Sequence, residues 1–203
     1  YCAVKVPRFE LEKFPKGYNE LGTQMKSVGE SLALGRTFPE ALNKAIRAAD
    51  FGFDGMRELN GKSEQELEQI LTTQHPSRIF AAFTMLKRHG LECIDELYAK
   101  TKYDPWFIEQ MLQLVNIENE LHNTPLLAYE QLLEAKRAGI SDARIAELRN
   151  VDATEIRDMR KEFLMHAAYH FVDTCAGEFT AETPYFYSTY GEIDEGQPLH
   201  KER

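Results

Sequence analysis

Four places in this chain carry residue types and spacings that could do chemistry. Gly61-Lys62-Ser63 ends like a phosphate-binding loop, in which backbone N–H groups cradle phosphates and the lysine reaches toward them. That pattern needs a glycine at position 56, which is Met56; Gly55 is one residue off, and no strand is predicted before it. The run reads more simply as a polar turn supplying Ser63 as a helix N-cap. His166 and His170, spaced i and i+4, would share a face of a helix or of a strand and could ligate a metal. No third ligand is in view, no glutamate follows His166, and the helix before them is predicted to end near Phe163. Cys175 lies among small polar residues that suit a nucleophile, but no motif sets a histidine base beside it. A small buried cysteine is the plainer expectation. The fourth place, 141–163, has the pattern of a DNA-binding helix-turn-helix, with Ile156 and Met159 turned inward.

Charge weighs against that fourth use. Residues 141–163 hold six acids and five bases, a net of −1. The turn that would meet base edges carries Asp152 and Glu155, which phosphates would repel. The chain as a whole has 24 Lys and Arg against 33 Asp and Glu, a net charge of −9, which disfavours nucleic acid or an anionic membrane as the main partner. Among the carboxylates no pair stands out as an acid–base couple; most sit at helix starts or on solvent faces. Trp106 follows an Asp-Pro helix start and is expected to be a core or interface anchor. The three cysteines, Cys2, Cys93 and Cys175, are too far apart for a disulfide framework, so a cytoplasmic, reducing setting is expected. No apolar run approaches the ~20 residues of a membrane span. The start at Tyr1 has neither a signal-peptide pattern nor an initiator methionine, so the 203 residues are expected to be a cut piece of a longer protein.

The elements that must position these groups read in three parts. Residues 1–36 open with an alternating stretch, Val4 to Phe9, that is strand-like until Pro7. A turn-rich connector at 15–19 follows, and three glycines between Gly22 and Gly35 disfavour a long helix. Residues 37–163 are helical throughout. Thr37 with Glu40, Ser63 with Glu66 and Asp152 with Glu155 each have the spacing of a capping box. Pro76-Ser77 opens a helix closed by Gly90, Asp104-Pro105 opens another, and three more run at about 125–138, 142–149 and 153–163. A weak internal repeat relates Leu86–Gly90 to Ala135–Gly139, 49 residues on, each followed by a short helix and then an Asp-capped one. Two copies fall short of the ~3 a solenoid needs. Residues 164–203 are aromatic-rich, with strand-like runs at 168–173 and 184–190, and from Gly191 onward the composition reads as disorder or linker. The expected fold class is therefore mainly α: a multi-helix bundle of about eight helices with short β or extended segments at both ends. The helix at 37–50, apolar around much of its circumference, is the candidate face for partners, or equally for burial against a neighbouring domain.

Several of these segments together resemble a known family. Lys5–Phe9 (KVPRF), Glu12–Phe14 (EKF), Thr23–Glu30 (TQMKSVGE), Gly35–Phe38 (GRTF), Asp104–Phe107 (DPWF), Val172–Ala176 (VDTCA) and Tyr185–Tyr190 (YFYSTY) look like the large chain of carbamoyl phosphate synthetase, in the family's order and over nearly the whole chain. Ser31 and Gly177 stand where the family is expected to have Val and Ala. The resemblance implies a much longer parent with two ATP-grasp halves. The first makes carboxyphosphate from bicarbonate and ATP, and then carbamate with ammonia from glutamine; the second phosphorylates carbamate for arginine and pyrimidine biosynthesis. It places residues 1–30 at the closing edge of the first ATP-grasp unit, 31–165 in a helical oligomerization domain, and 166–203 in the lead-in to the second half. Catalytic, cofactor and metal ligands for ATP and Mg2+ (or Mn2+) would lie outside the interval, so no site residue carries over and the piece alone is expected to be inactive. Implied partners are a second large chain and the glutaminase (small) subunit, with neither nucleic acid nor membrane. The alternative is a free-standing helical module with a DNA-binding helix-turn-helix at 141–163.

Overall fold

In the computed structural model, which describes residues 1–11, 21–182 and 185–196, the chain opens with an antiparallel hairpin. β1 (Cys2–Phe9) pairs with β2 (Ser27–Gly35), Cys2 opposite Gly35 and Val6 opposite Ser31. This corrects the expectation of a lone strand stopping at the proline. Pro7 lies inside the ladder opposite Glu30, and the register slips only between Arg8 and Phe9. A two-stranded sheet has only edge strands, where a missing N–H is tolerated. The partner strand was hard to see because its polarity is inverted: Ser31, Ala33 and Gly35 are buried while Leu32 is 64% exposed. Small inward residues let the sheet lie close on the first helix. The connector at 15–19 and the Glu12–Phe14 segment lie outside the described residues.

That helix, α1 (Phe38–Ala48), starts with Thr37 accepting from the Glu40 N–H and with Pro39 in its first turn. The reciprocal half of the expected capping box is replaced. The Glu40 carboxylate reaches past Thr37 and accepts the Arg36 N–H at 2.7 Å. α2 (Glu64–Thr72) has the full Ser63–Glu66 box. At α3 (Arg78–His89) the hydroxyl of Ser77 makes no cap, and its N–H donates to His75 Nδ1 instead. A 3-10 turn at Gly90–Cys93 leads into α4 (Ile94–Thr101). α5 (Pro105–Asn123) is capped by Asp104, which accepts from the Trp106 N–H. α6 (Tyr129–Arg137), α7 (Asp142–Arg149) and α8 (Ala153–Glu162) complete the helical part, the last with its Asp152–Glu155 box. Leu42 and Ile46 of α1, Phe83 and Leu86 of α3, Leu97 of α4 and Ile108, Met111 and Leu114 of α5 form the centre of one continuous core. Each such side chain contributes roughly 1.5–3 kcal/mol on burial.

The weak sequence repeat corresponds to a repeated conformation. α3 ends at Gly90 (φ 61) and α6 at Gly139 (φ 76). The short helices that follow, α4 and α7, both stop on a left-handed non-glycine residue, Lys102 (φ 60) and Asn150 (φ 54). Asp104 and Asp152 then cap the next helix in each copy.

After α8, β3 (Ala168–Phe171) pairs antiparallel with β4 (Phe186–Thr189), Ala168 opposite Thr189. The expected disorder from Gly191 is corrected for 194–196. The Glu195 N–H donates to the Tyr169 carbonyl at 2.8 Å, and the Asp194 carboxylate accepts the Tyr169 N–H at 3.0 Å. Residues 197–203, and the beginning of the predicted strand at 184, lie outside the described residues. The chain is thus a helical middle with a small antiparallel sheet at each end, not a bundle alone.

Candidate junction site

The polar residues of α1 decide how the molecule is held together. Leu42, Ala45 and Ile46 supply an apolar stripe, yet Glu40 and Asn43 between them are as buried. Buried polar groups must be hydrogen-bonded. Asn43 meets this by donating its amide to the Ala138 carbonyl at 2.9 Å and accepting the Met56 N–H at 2.8 Å. It therefore ties the 52–56 loop and the α6–α7 turn to one helix. Gly139 makes this approach possible, since a Cβ there would stand 2.8 Å from the Glu40 carbonyl oxygen. The expectation that α1 offers an outer face is accordingly overturned. The hairpin covers one side, with Ser31 Oγ donating to the Ala45 carbonyl at 2.7 Å, and the helices cover the other.

α1 also gathers strands from both sides of the helical middle. Lys44 Nζ donates to the carbonyl of Leu34 in β2 and to that of Ser188 in β4, the latter at 2.6 Å. Burial pushes its ammonium below the usual lysine value, with Arg47 adding to the push and Glu40 opposing it. Next to it, Arg36 donates to the Tyr187 hydroxyl at 3.3 Å. The Tyr1 ring packs 5.9 Å from the Tyr187 ring, and its hydroxyl donates to the Asp173 carbonyl. At the other end of α1, Arg8 of β1 donates to the carbonyls of Ala49 and Asp50, closing the helix terminus. The second strand of the opening hairpin and the last described strand, β2 and β4, are therefore held near one another, bridged by the Lys44 side chain between them.

A second layer of charge locks the helices. Arg144 of α7 donates to Glu118 of α5 through Nε and Nη2 at 2.8 and 2.9 Å, and to Glu58 at 2.9 Å; Lys87 of α3 lies 2.5 Å from Glu118. Burial would raise the Glu58 carboxyl, but a hydrogen bond from its own backbone, the charges of Arg144 and Lys87, and the Arg144 hydrogen bond together hold it below the ordinary range.

The residues singled out for chemistry are dispersed. Gly61 (φ 74) and Lys62 form the turn before the Ser63 cap, and Lys62 pairs with Glu66 at 2.7 Å. His166 is exposed, whereas His170 stacks on Tyr187 and lies 3.6 Å from Glu195. Among the described residues no group of three or more His, Cys, Asp or Glu side chains is arranged to hold a metal ion, and no helix is long and apolar enough to cross a membrane. Cys175 is half-buried rather than buried, its N–H held by Asp173 at 2.9 Å. Trp106 is 49% exposed and in ring contact with Phe38 and Phe107, itself 43% exposed.

The helix-turn-helix does not survive as a DNA reader. α7 and α8 do pack as predicted, but their bases are spent internally. Arg144 is engaged as above, Arg149 donates to the carbonyls of Leu121, Thr124 and Pro125 that end α5, and Arg160 grips Asp142 at 2.6–3.0 Å. Lys161 pairs with Asp158, so among the described residues only Arg157 of the five is left without a hydrogen bond or ion pair. Sequence reasoning missed Asn43, Lys44 and Glu118, and gave Glu40 a capping role without its burial. The available signal was four polar residues interrupting apolar helical faces.

A family model described as carbamoyl-phosphate synthetase large chain, oligomerisation domain, matches residues 30–164. The chain is 43% identical over 208 aligned residues to the carbamoyl phosphate synthase large chain, N-terminal section, of Methanopyrus kandleri, covering 95% of this chain and 37% of that protein. It is 44% identical to the large chain of a Nostoc species, covering 99% and 18%, and 42% identical to that of Pasteurella multocida, covering 100% and 19%. It spans between about a fifth and somewhat over a third of the length of these relatives.

Proposed function

Because the chain belongs to the carbamoyl-phosphate synthetase large-chain family and carries that family's oligomerisation domain at residues 30–164, we propose that it is the joint of a longer ligase. In this proposal residues 1–30 close the first ATP-grasp unit, 31–165 form the oligomerization domain, and 166–203 lead into the second half. The parent makes carbamoyl phosphate from bicarbonate, ammonia and ATP in the cytoplasm, for arginine and pyrimidine synthesis. ATP and Mg2+ (or Mn2+) bind in the flanking halves, and a glutaminase subunit supplies the ammonia. The single observation that carries the joint is the bridge from Lys44 to Leu34 and Ser188, which pins one strand of each terminal hairpin, β2 and β4, to one helix. The intermediate passed between the halves, carbamate, decomposes in water, so a fixed spacing between them has a chemical use.

The test is made on the full-length large chain. Replacing Lys44 and Arg36 together by Met leaves bicarbonate-dependent ATP hydrolysis and the phosphorylation of ADP by carbamoyl phosphate within about twofold, since each occurs within one half. Overall synthesis falls about tenfold or more, a change of ~1.4 kcal/mol. An unchanged rate of overall synthesis contradicts the proposal.

Self-association with a second large chain is assigned to the Phe38, Trp106 and Phe107 cluster. Half-exposed aromatics in mutual contact are typical anchors of protein interfaces, and the matched domain is described by oligomerisation. Trp106→Ala with Phe107→Ala should shift the large chain to smaller species in sedimentation velocity. An unchanged distribution assigns the interface elsewhere.

A further inference from the structure

Four cations converge where α1 meets the α6–α7 turn and β4: Lys44, Arg47, Lys136 and Arg160. A cavity of 280 Å³ opens between these elements, lined by Lys44, Arg47, Lys136, Glu40, Asp142 and Tyr190 among others. Its two carboxylates are already spent. Asp142 accepts from Lys136 at 2.8 Å and from Arg160 through both oxygens. Glu40 accepts the Arg36 N–H and lies 3.7 Å from Lys44. Among the described residues three cations line the cavity against two carboxylates, an excess of one positive charge, with Arg160 held on Asp142 outside the lining, in a chain whose net charge is −9.

Arg47 is where the excess is plainest. Its half-buried guanidinium donates once, from Nη1 to the Gly139 carbonyl at 3.2 Å. Among the described residues no carboxylate pairs with it. A guanidinium has five donors in a planar fork that fits the oxygens of a phosphate or carboxylate. Its neighbours register the uncompensated charge. Burial pushes the Lys136 ammonium down, Asp142 opposes, and Arg160 and Arg47 add to the push; Lys44 is lowered in the same way. Tyr190 forms an apolar wall, with Lys136 Nζ 5.4 Å and the Arg160 guanidinium carbon 6.0 Å from its ring centre.

We propose that this cavity is a binding site for a small oxyanion of the phosphate type. The excess positive charge suits an anion, and the largely unspent Arg47 fork supplies the donors that its oxygens take, while the Lys44 and Lys136 ammonium groups, already donating to protein carbonyls and Asp142, add charge beside it. The volume lies just below the range of drug-sized ligand cavities, about 300 to 1,000 Å³, so it suits inorganic phosphate or a small phosphate monoester. The first turn of α7 adjoins the cavity but is capped by its own Ser141 hydroxyl; the side-chain cations carry the site. A bound anion would tie α1 to the α6–α7 turn, and so stiffen the region where both sheets are held.

The proposal is tested on the full-length large chain with inorganic phosphate as the probe. The catalytic sites are first saturated with a non-hydrolysable ATP analogue, and bound radiolabelled phosphate is measured by equilibrium dialysis. The chain is expected to bind one more phosphate than the Arg47→Gln, Lys136→Met variant. Equal binding by the two, with the variant folded by circular dichroism, overturns the proposal. Should the variant fail to fold, selenate-soaked crystals of the unaltered chain decide. An anomalous peak within hydrogen-bond distance of Arg47 and Lys136 supports the site. Its absence, or a protein carboxylate seated in the cavity, overturns it.

Discussion

Asn43 holds two backbone groups that water cannot reach, the Met56 N–H and the Ala138 carbonyl. Asn43→Ala leaves both unpaired and is expected to cost ~2–4 kcal/mol, lowering Tm by roughly 4–16 °C for a chain of this size. Calorimetry checks this, and a drop under one degree contradicts the hub role given to α1. Glu66 makes a different prediction, about pH. Its hydrogen bond with Lys62, then those with the Ser63 backbone and hydroxyl, hold its carboxyl well below the ordinary 4.5, at about 2. A depressed folded value means the cap contributes stability above about pH 4.5 and loses it as the pH falls toward 2. Glu66→Gln should therefore flatten the acid limb of the stability curve in that window, read by urea titrations at stepped pH. An identical limb places the acid sensitivity elsewhere. Both residues sat in plain view in the sequence, but only Glu66 was legible there, because a capping box is a local pattern of four residues. Asn43 finds its partners 13 and 95 positions away, and no local pattern reports that.

The same contrast runs through the elements. Caps at Ser63, Asp104 and Asp152 and the stops at Gly90 and Gly139 were readable, since each depends on neighbours within one turn. β2 was not, because burying Ser31, Ala33 and Gly35 against α1 inverts the alternation that marks a strand. Nor was the burial of α1, whose apolar circumference fits an outer face and a central helix equally well until its covers are known. The two repeat glycines test how far the repeat is one of conformation alone. Both have positive φ, where a side chain costs about 1–3 kcal/mol, but only at Gly139 would a Cβ also press on Glu40. Gly90→Ala should lower stability by about that amount and Gly139→Ala by clearly more, with the α6–α7 turn displaced. Equal losses in denaturant melts would show that the turn can retreat from α1 at little cost.

At the scale of the molecule, the described residues form a helical core with the two small sheets that flank it held to one helix. Lys44, Arg36 and Tyr187 join β2 to β4 across α1, and the ion pairs of Arg144 with Glu118 and Glu58 keep the supporting helices in register. None of the residues first considered for catalysis converge, and the organisation instead serves geometry, with the position of one sheet set by the other. That claim has a direct measurement. Spin labels at Lys5→Cys in β1 and Tyr185→Cys beside β4, in a full-length large chain whose own cysteines are replaced, report the separation of the two sheets by pulsed electron resonance. The joint predicts one narrow distance distribution that broadens when Lys44 and Arg36 are both changed to Met. A distribution already broad in the unaltered chain, or one that stays narrow in the double variant, would contradict it.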